Sequence, residues 1–190
     1  MTAAMTGIIL SGGKSSRMGT NKAFINIDGE RLIDRTVRIF RELFSEVMIV
    51  TNTPLEYIDL NIQVVTDIIR GKGSLGGIYT GLFFSSFEHA FAAPCDMPFL
   101  NKDFIEYMLS RRDNYDIVVP ETADGLQPLH AIYAKRCVPV IKKLLEADKL
   151  KITGFYKGFR ILNIAEEDIM PFDPGGRIFL QERVDDSYLV

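Results

Sequence analysis

The chain holds little of what covalent and metal-centred chemistry needs. Among its 190 residues there are two cysteines, two histidines and no tryptophan. Cys95 and Cys137 show no Cys-x-x-Cys spacing, which excludes a disulfide scaffold, a zinc ribbon and a thioredoxin-type motif. So few cysteines fit a reducing compartment. Two histidines leave no His-rich metal site. No apolar run is long enough to span a bilayer, and no cation precedes Ile8-Ile9-Leu10 as a secretory leader requires. A cytoplasmic location with no membrane partner is therefore expected. The net charge of −3, without a large basic face, argues against general nucleic-acid binding. What remains is 47% hydrophobic and 25% charged, the composition of a globular chain able to bury its own core.

No repeat, low-complexity tract or linker interrupts the chain, so a single domain over residues 1–190 is expected. Short apolar runs alternate with helical patterns. Residues 6–11, 47–50, 62–66, 90–94, 115–120, 129–134 and 160–164 read as strands, and Lys22 to Ile27 as an extended stretch. Helices are expected over 31–44, 77–87 and 136–147, and after Asn101, a cap for a run with Phe104, Ile105, Met108 and Leu109 at helical spacing. Asp28-Gly29 signals a turn. Strands alternating with helices imply an α/β fold of three layers, α-β-α, around a mostly parallel sheet. Such sheets bind ligands beyond the carboxyl ends of their strands, where strand order reverses. That directs attention to residues 10–22, 50–53, 66–76 and 94–98.

The first of these is the most informative: Leu10-Ser11-Gly12-Gly13-Lys14-Ser15-Ser16-Arg17-Met18-Gly19-Thr20-Asn21-Lys22. Glycines let backbone approach a ligand closely, and the N–H groups of such a loop can cradle phosphates. Lys14, Arg17 and Lys22 add three cations, and no acid occurs before Asp28. A polyphosphate needs this pairing of fixed donors with positive charge. The loop is not a Walker A motif, because Ile8 stands where the first glycine would be. The bland alternative is a basic surface turn.

Other polar residues fall at strand ends. Asp96, in Cys95-Asp96-Met97-Pro98, ends an apolar strand and puts a hard oxygen ligand where Mg²⁺ would want one. It could equally cap the next helix. Asn52 and Asp67 follow two other strands and could be ordinary turn residues. Cys95 reads as a small buried residue rather than a nucleophile, and His130, inside an apolar run, as a core histidine. Tyr133, Phe155 and Tyr156 could stack an aromatic ligand, although packing is the simpler reading. Gly71-Lys72-Gly73-Ser74-Leu75-Gly76 matches G-x-G-x-x-G, with Asp96 20 residues after Gly76, so a dinucleotide site is a rival. It is weakened by Asp67-Ile68-Ile69-Arg70 between strand and first glycine. Otherwise Arg70 and Lys72 form a mobile basic lid, and Gly76-Gly77 allows close approach at a helix start.

Taken together, the loop pattern Leu10-Ser11-Gly12-Gly13-x-Ser15-x-Arg17-Met18-Gly19-x-x-Lys22, with Asn52, Asp67, Gly76-Gly77, Cys95-Asp96-Met97-Pro98 and Gln127-Pro128-Leu129, resembles the molybdenum cofactor guanylyltransferases, a branch of the Rossmann-like nucleotidyltransferases. The resemblance reaches to about residue 180. It implies transfer of GMP from GTP to molybdopterin with release of diphosphate. Mg²⁺ is the implied cofactor, held by Asp96. Nucleotide contacts are implied for Leu10, Ser11, Gly12, Gly13, Lys22, Asn52, Asp67 and Asp96, and catalytic roles for Arg17, Lys22 and Asp96. It further implies a nucleotide-binding part over about 1–100 and an acceptor-side part over about 101–180, the latter with Gln127-Pro128-Leu129 beside the acceptor pocket. Other cofactor-biosynthesis proteins and acceptor molybdoenzymes are the implied partners.

The family closes with an Asn-Ile-Asn-Thr-Pro-like segment after a phenylalanine. Here Phe179-Leu180 runs into Gln181-Glu182-Arg183-Val184-Asp185-Asp186 instead. Two further readings therefore stand beside the guanylyltransferase: a related transferase using CTP or a sugar-phosphate acceptor, and a non-catalytic nucleotide-binding protein.

Overall fold

A computed structural model describes residues 2–12 and 21–181. At its centre lies β1 (Ala3–Leu10), buried from Met5 onward and paired in parallel on both edges. A strand covered on both faces must be largely apolar, and the one polar side chain in this one, Thr6, is buried with its hydroxyl bonded to Glu46 and Ser85. Alternate side chains serve opposite faces: Met5 and Ile9 enter one core cluster, Ile8 and Leu10 the other.

Two hydrophobic layers follow from two pairs of helices. On one face lie α1 (Leu32–Leu43) and α3 (Lys102–Ser110); on the other lie α2 (Gly73–Phe84) and α4 (Val138–Glu146). Helix α1 buries Leu32, Ile33, Thr36, Val37, Phe40 and Leu43, a stripe with helical period. Phe40 and Phe44 pack over Gly7 of β1, where a Cβ would come within 2.5 Å of both rings. The main sheet runs β10-β7-β9-β6-β1-β4-β5, with β8 attached to β7. Here β4 is Phe44–Val50, β5 Gln63–Val65, β6 His89–Pro94, β7 Ile117–Thr122, β8 Gly125–Leu126, β9 Ala131–Ala134 and β10 Ile161–Ile164. Strand β9 runs antiparallel to both β6 and β7, and β8 antiparallel to β7; the other pairings are parallel. This is the three-layer, Rossmann-like architecture with a mostly parallel mixed sheet. The chain leaves β1 toward β4 and β5, then returns through α2 to β6 on the other side. Strand order therefore reverses between β1 and β6, and the ligand crevice of such sheets opens at that point.

Several boundaries differ from expectation, each for a local reason. Lys22–Phe24 is a 3-10 turn, because the Asn21 side chain accepts the Ala23 N–H and competes with extended backbone. Only Asn26–Ile27 (β2) and Glu30–Arg31 (β3) pair beyond it. They are joined by Asp28-Gly29, both at positive φ, as a two-residue hairpin turn demands. Phe44 opens β4 instead of closing α1, its ring held among Phe40 and Phe91. Helix α2 begins at Gly73, not at residue 77, and ends at Phe84. Its glycines serve packing, as described below. Strand β9 starts only at Ala131, since His130 N–H closes a turn on the Gln127 carbonyl. Pro139 in the first turn moves the start of α4 to Val138, after a 3-10 turn at Lys135–Cys137. The 3-10 segment Pro54–Leu60, two short elements α5 (Glu166–Ile169) and β8, and a 3-10 turn at Ile152–Phe155 carry no sequence periodicity and were not expected. Asn101 caps α3 as expected, accepting from Phe104 N–H at 2.9 Å.

Candidate functional site

The carboxyl ends of β1, β4, β5 and β6 open into one cleft of about 610 Å³. Backbone hydrogen bonds carry the sheet ladder into its floor: Ser11 N–H to Val50 O at 2.9 Å, Thr51 N–H to Val65 O at 3.0 Å, and Cys95 N–H to Leu10 O at 3.0 Å. Each strand thus delivers its next residues to the cleft. Leu10, Ser11 and Gly12 come from β1, Asn52 from β4, Asp67 from β5, and Cys95 and Asp96 from β6; Lys22 comes from the turn beyond the glycine loop. Seven of the expected contact residues, Leu10, Ser11, Gly12, Lys22, Asn52, Asp67 and Asp96, therefore share one wall-to-wall space. Gly13 and Arg17 lie outside the described residues.

Helix α2 points its N-terminus at this cleft, with Gly73, Ser74 and Gly77 in the lining. Amide groups at such an end favour anions. The helix comes this close to β1 because it lacks side chains on that side. A Cβ at Gly77 would sit 2.9 Å from Leu10 Cδ2, and one at Gly81 2.6 Å from the Ile8 side chain. Thr80, between them, accepts the Ile68 N–H at 3.1 Å and so tethers the segment that bears Asp67.

Asn52 Nδ2 donates to Asp67 Oδ2 at 2.7 Å. Burial raises the Asp67 carboxyl above its usual range, against the pull of Asn52 and Arg70. Burial likewise pushes the Cys95 thiol up to about 11, so no thiolate nucleophile exists near neutral pH. Cys95 Sγ contacts Ser11 Oγ at 3.2 Å, and Ser11 Oγ lies 2.5 Å from Tyr57 OH. The Asp96–Pro98 turn is braced from α1, where Arg35 donates to the Pro98 carbonyl at 3.3 Å.

Some expectations are corrected. Of the basic pair expected to form a lid, Arg70 lines the cleft but Lys72 is ion-paired to Asp148 at 2.9 Å. Tyr133, Phe155 and Tyr156 follow the simpler reading and are buried against one another, with Tyr133 OH donating to Pro128 O at 2.6 Å. His130 is core, as read, packed among Phe91, Phe104 and Phe179. In the G-x-G-x-x-G stretch the strand ends at Val65 on the sheet edge, and Gly73 and Gly76 are already helical. The tight strand–glycine junction of a dinucleotide site is missing. Asn21, Thr51, Thr53, Ser74, Leu129 and Gln181 also line the cleft. Leu129 is the part of Gln127-Pro128-Leu129 that reaches it. Thr51 and Thr53 bracket Asn52 after β4, a signal the strand-end rule could have caught; Gln181 is marked only by its position, at the start of the segment that departs from the family's closing residues.

Residues 7–157 match the MobA-like NTP transferase domain. A molybdenum cofactor guanylyltransferase of Desulfosudis oleivorans is 40% identical over 173 residues, 90% of this chain and 86% of that protein. A protein of Pelotomaculum thermopropionicum named "Probable molybdenum cofactor guanylyltransferase" is 37% identical over 86% of this chain and 80% of its own length. Among solved structures, molybdopterin-guanine dinucleotide biosynthesis protein A of Archaeoglobus fulgidus superposes with a TM-score of 0.80 at 22% identity, covering 96% of this chain and 94% of that one. A 2-C-methyl-D-erythritol 4-phosphate cytidylyltransferase of Thermus thermophilus superposes at 0.64 with 12% identity, over 90% and 98% of the two chains. The fold is thus common to transferases of different bases, and it is the sequence match over most of the chain that assigns this protein to the MobA-like NTP transferase family, as a nucleotidyltransferase.

Proposed function

We propose that the protein transfers GMP from GTP to molybdopterin. The terminal phosphate oxygen of molybdopterin attacks the α-phosphorus, a new P–O bond forms, and the bond from that phosphorus to the β-phosphate oxygen breaks, releasing diphosphate. The attacking phosphate is already anionic near pH 7, so positioning and charge stabilisation carry the reaction and no covalent enzyme intermediate is needed. The observation that carries this reading is the convergence of Leu10, Ser11, Gly12, Lys22, Asn52, Asp67 and Asp96 on one cleft, in a chain whose curated relatives at 37–40% identity bear the guanylyltransferase name.

The roles follow from chemistry and place. We assign Lys22 and the amides of the α2 N-terminus to the nucleotide phosphates, and Gly12 together with the loop residues Gly13 and Arg17 to the departing diphosphate. The Asn52–Asp67 pair offers an oxygen acceptor to nucleoside donors, such as the amino edge of guanine. Among the described residues no cluster of three or more His, Cys, Asp or Glu forms a dedicated metal cage. The cleft does hold hard carboxylates, Asp96 and Asp67. Mg²⁺ is suited to such a set, since it takes one or two carboxylates and fills its shell with phosphate oxygens and water. Asp96 would hold it, and when bound it would neutralise charge at the α-phosphate. The chain acts as one domain, its acceptor side beyond about residue 100, alongside other cofactor-biosynthesis proteins and acceptor molybdoenzymes. No helix among the described residues is long and apolar enough to cross a membrane, in keeping with the proposed cytoplasmic location.

Calorimetry with GTP, CTP and NAD, with and without Mg²⁺, tests the nucleotide. GTP is expected to bind best, and a CTP preference would remove the guanylyl assignment. Diphosphate release that requires both GTP and molybdopterin then separates an enzyme from a binding protein.

A further inference from the structure

The two ends of the glycine-rich loop meet at one side chain that belongs to neither. Tyr57 sits in the 3-10 segment Pro54–Leu60 and is 1% exposed. Its hydroxyl lies 2.5 Å from Ser11 Oγ, where the chain leaves β1, and accepts from Asn21 Nδ2 at 2.9 Å, where the chain returns. With the Asn21 amide donating to it, the single phenolic proton is available for Ser11. The same ring packs against Phe24 at 5.1 Å between centroids. Lys22 therefore stands in a short turn held to Tyr57 from both sides, by Asn21 before it and Phe24 after it. Asn21 in turn caps that turn by accepting the Ala23 N–H at 3.1 Å, and donates its other amide hydrogen to Glu56 at 2.5 Å.

We infer that Tyr57 is a positioning residue for the phosphate-binding side of the cleft: through its hydroxyl it sets the Lys22 turn against the end of β1. It has no place in the cleft lining itself and acts only through Ser11 and the Asn21–Phe24 turn. The motif that marks the loop stops at Lys22, so nothing in it points to a residue 35 positions further on. The inference rests on the reading of the cleft as a nucleotide site. It adds that the placement of the loop's two ends, Ser11 and Asn21, is imposed from outside the loop.

Tyr57→Phe tests it, since the ring and its contact with Phe24 stay and only the hydroxyl goes. The measurements are calorimetric affinities for guanosine, GMP and GTP, with thermal unfolding alongside. A positioning role predicts a loss that grows with phosphate count: about 5- to 20-fold for GTP and less than twofold for guanosine. A merely structural lesion would weaken all three alike. Asn21→Ala, which also removes the cap of the Lys22 turn, should give at least as large a loss, and adding Tyr57→Phe to it should cost less than Tyr57→Phe does alone, because the two changes share the Asn21–Tyr57 bond. Should Tyr57→Phe fold poorly, Asn21→Ala alone shows the same phosphate-dependent loss. GTP affinity within twofold of wild type in both variants, or equal losses for GTP and guanosine, overturns the role of Tyr57. A wild type with no affinity for GTP overturns the proposed function, and this inference with it.

Discussion

Lys22 and Cys95 stand within the same cleft, yet their chemistry predicts opposite sensitivities to substitution. Lys22 is a point charge facing a space suited to polyphosphate, and an ammonium contributes there by charge alone. Lys22→Ala should raise the KM for GTP about 10-fold or more, roughly the 1.4 kcal/mol or above expected of a charge-assisted contact. Steady-state kinetics at fixed molybdopterin checks this; an unchanged KM and kcat would remove Lys22 from the site. Asp96→Asn keeps the shape but removes the negative charge that would hold a divalent cation. Turnover should fall by at least about 100-fold, near 2.7 kcal/mol of transition-state stabilisation, and normal magnesium-dependent turnover would remove Asp96 as the metal ligand. Cys95 makes the contrasting case. Its thiol is buried, pushed up to about 11 and in contact with Ser11, so Cys95→Ser should retain activity within a few-fold. Loss of all turnover on that change would mean covalent chemistry that the burial of this thiol excludes.

At the scale of elements, glycine is what lets α2 reach the cleft. Gly77 and Gly81 lie one turn apart on the face against β1, and Ile8, which a Gly81 Cβ would strike at 2.6 Å, is fully buried with nowhere to retreat. Gly81→Ala should therefore cost about 1–3 kcal/mol in denaturant unfolding despite the better helix propensity of alanine. Ile8→Val should return part of that loss by vacating space. A Gly81→Ala protein as stable as wild type would show that α2 can shift freely. The same element shows where sequence reasoning succeeds and where it stops. The buried strands β1, β4 and β6, the helices α1 and α3, the Asp28-Gly29 turn and the strand-end residues Asn52, Asp67 and Asp96 were legible because period, caps and turn chemistry are local properties. The first turn of α2 was not. Gly73, Ser74 and Gly76 read locally as a loop ahead of the helix expected from residue 77, and the close fit of Gly77 against Leu10 of β1, more than 60 residues away in the chain, is not a local property. Tyr57 was illegible for a similar reason: its segment exposes Leu55 and Ile58, so its apolar residues show no consistent face.

Over the whole molecule, one buried group couples stability to pH. His130 is 1% exposed, and neither ring nitrogen has a hydrogen-bond partner among the described residues. It is enclosed by Phe91 of β6, Phe104 of α3 and Phe179 of the C-terminal segment, at 4.9, 5.7 and 5.4 Å. Burial pushes its pKa down to about 3. In the unfolded chain a histidine titrates near 6.5. Above about pH 6.5 both states are neutral at this ring, and the full stability is present. Between about 6.5 and 3 the unfolded chain takes up a proton that the folded one refuses, so stability falls with falling pH, by up to about 1.4 kcal/mol per unit. At pH 5 the loss from this group is about 2 kcal/mol. At Glu46 burial raises the carboxyl but hydrogen bonds from Thr6 and Ser86 outweigh it and hold it low overall, so its contribution is lost only as pH falls below about 4.3, in the lower part of that window and outside the range from pH 7 to 5. The three rings come from separate parts of the chain, so the ring cannot take up its proton without opening the core between them. His130→Phe fills nearly the same space and removes both unpaired nitrogens, and it should flatten the pH dependence between 7 and 5 without lowering stability at pH 7. Urea unfolding of both proteins at pH 7, 6 and 5 measures this: the wild-type midpoint should drop across the series while that of the variant changes little, and parallel curves would mean that this ring is protonated as readily in the folded protein as in the unfolded chain.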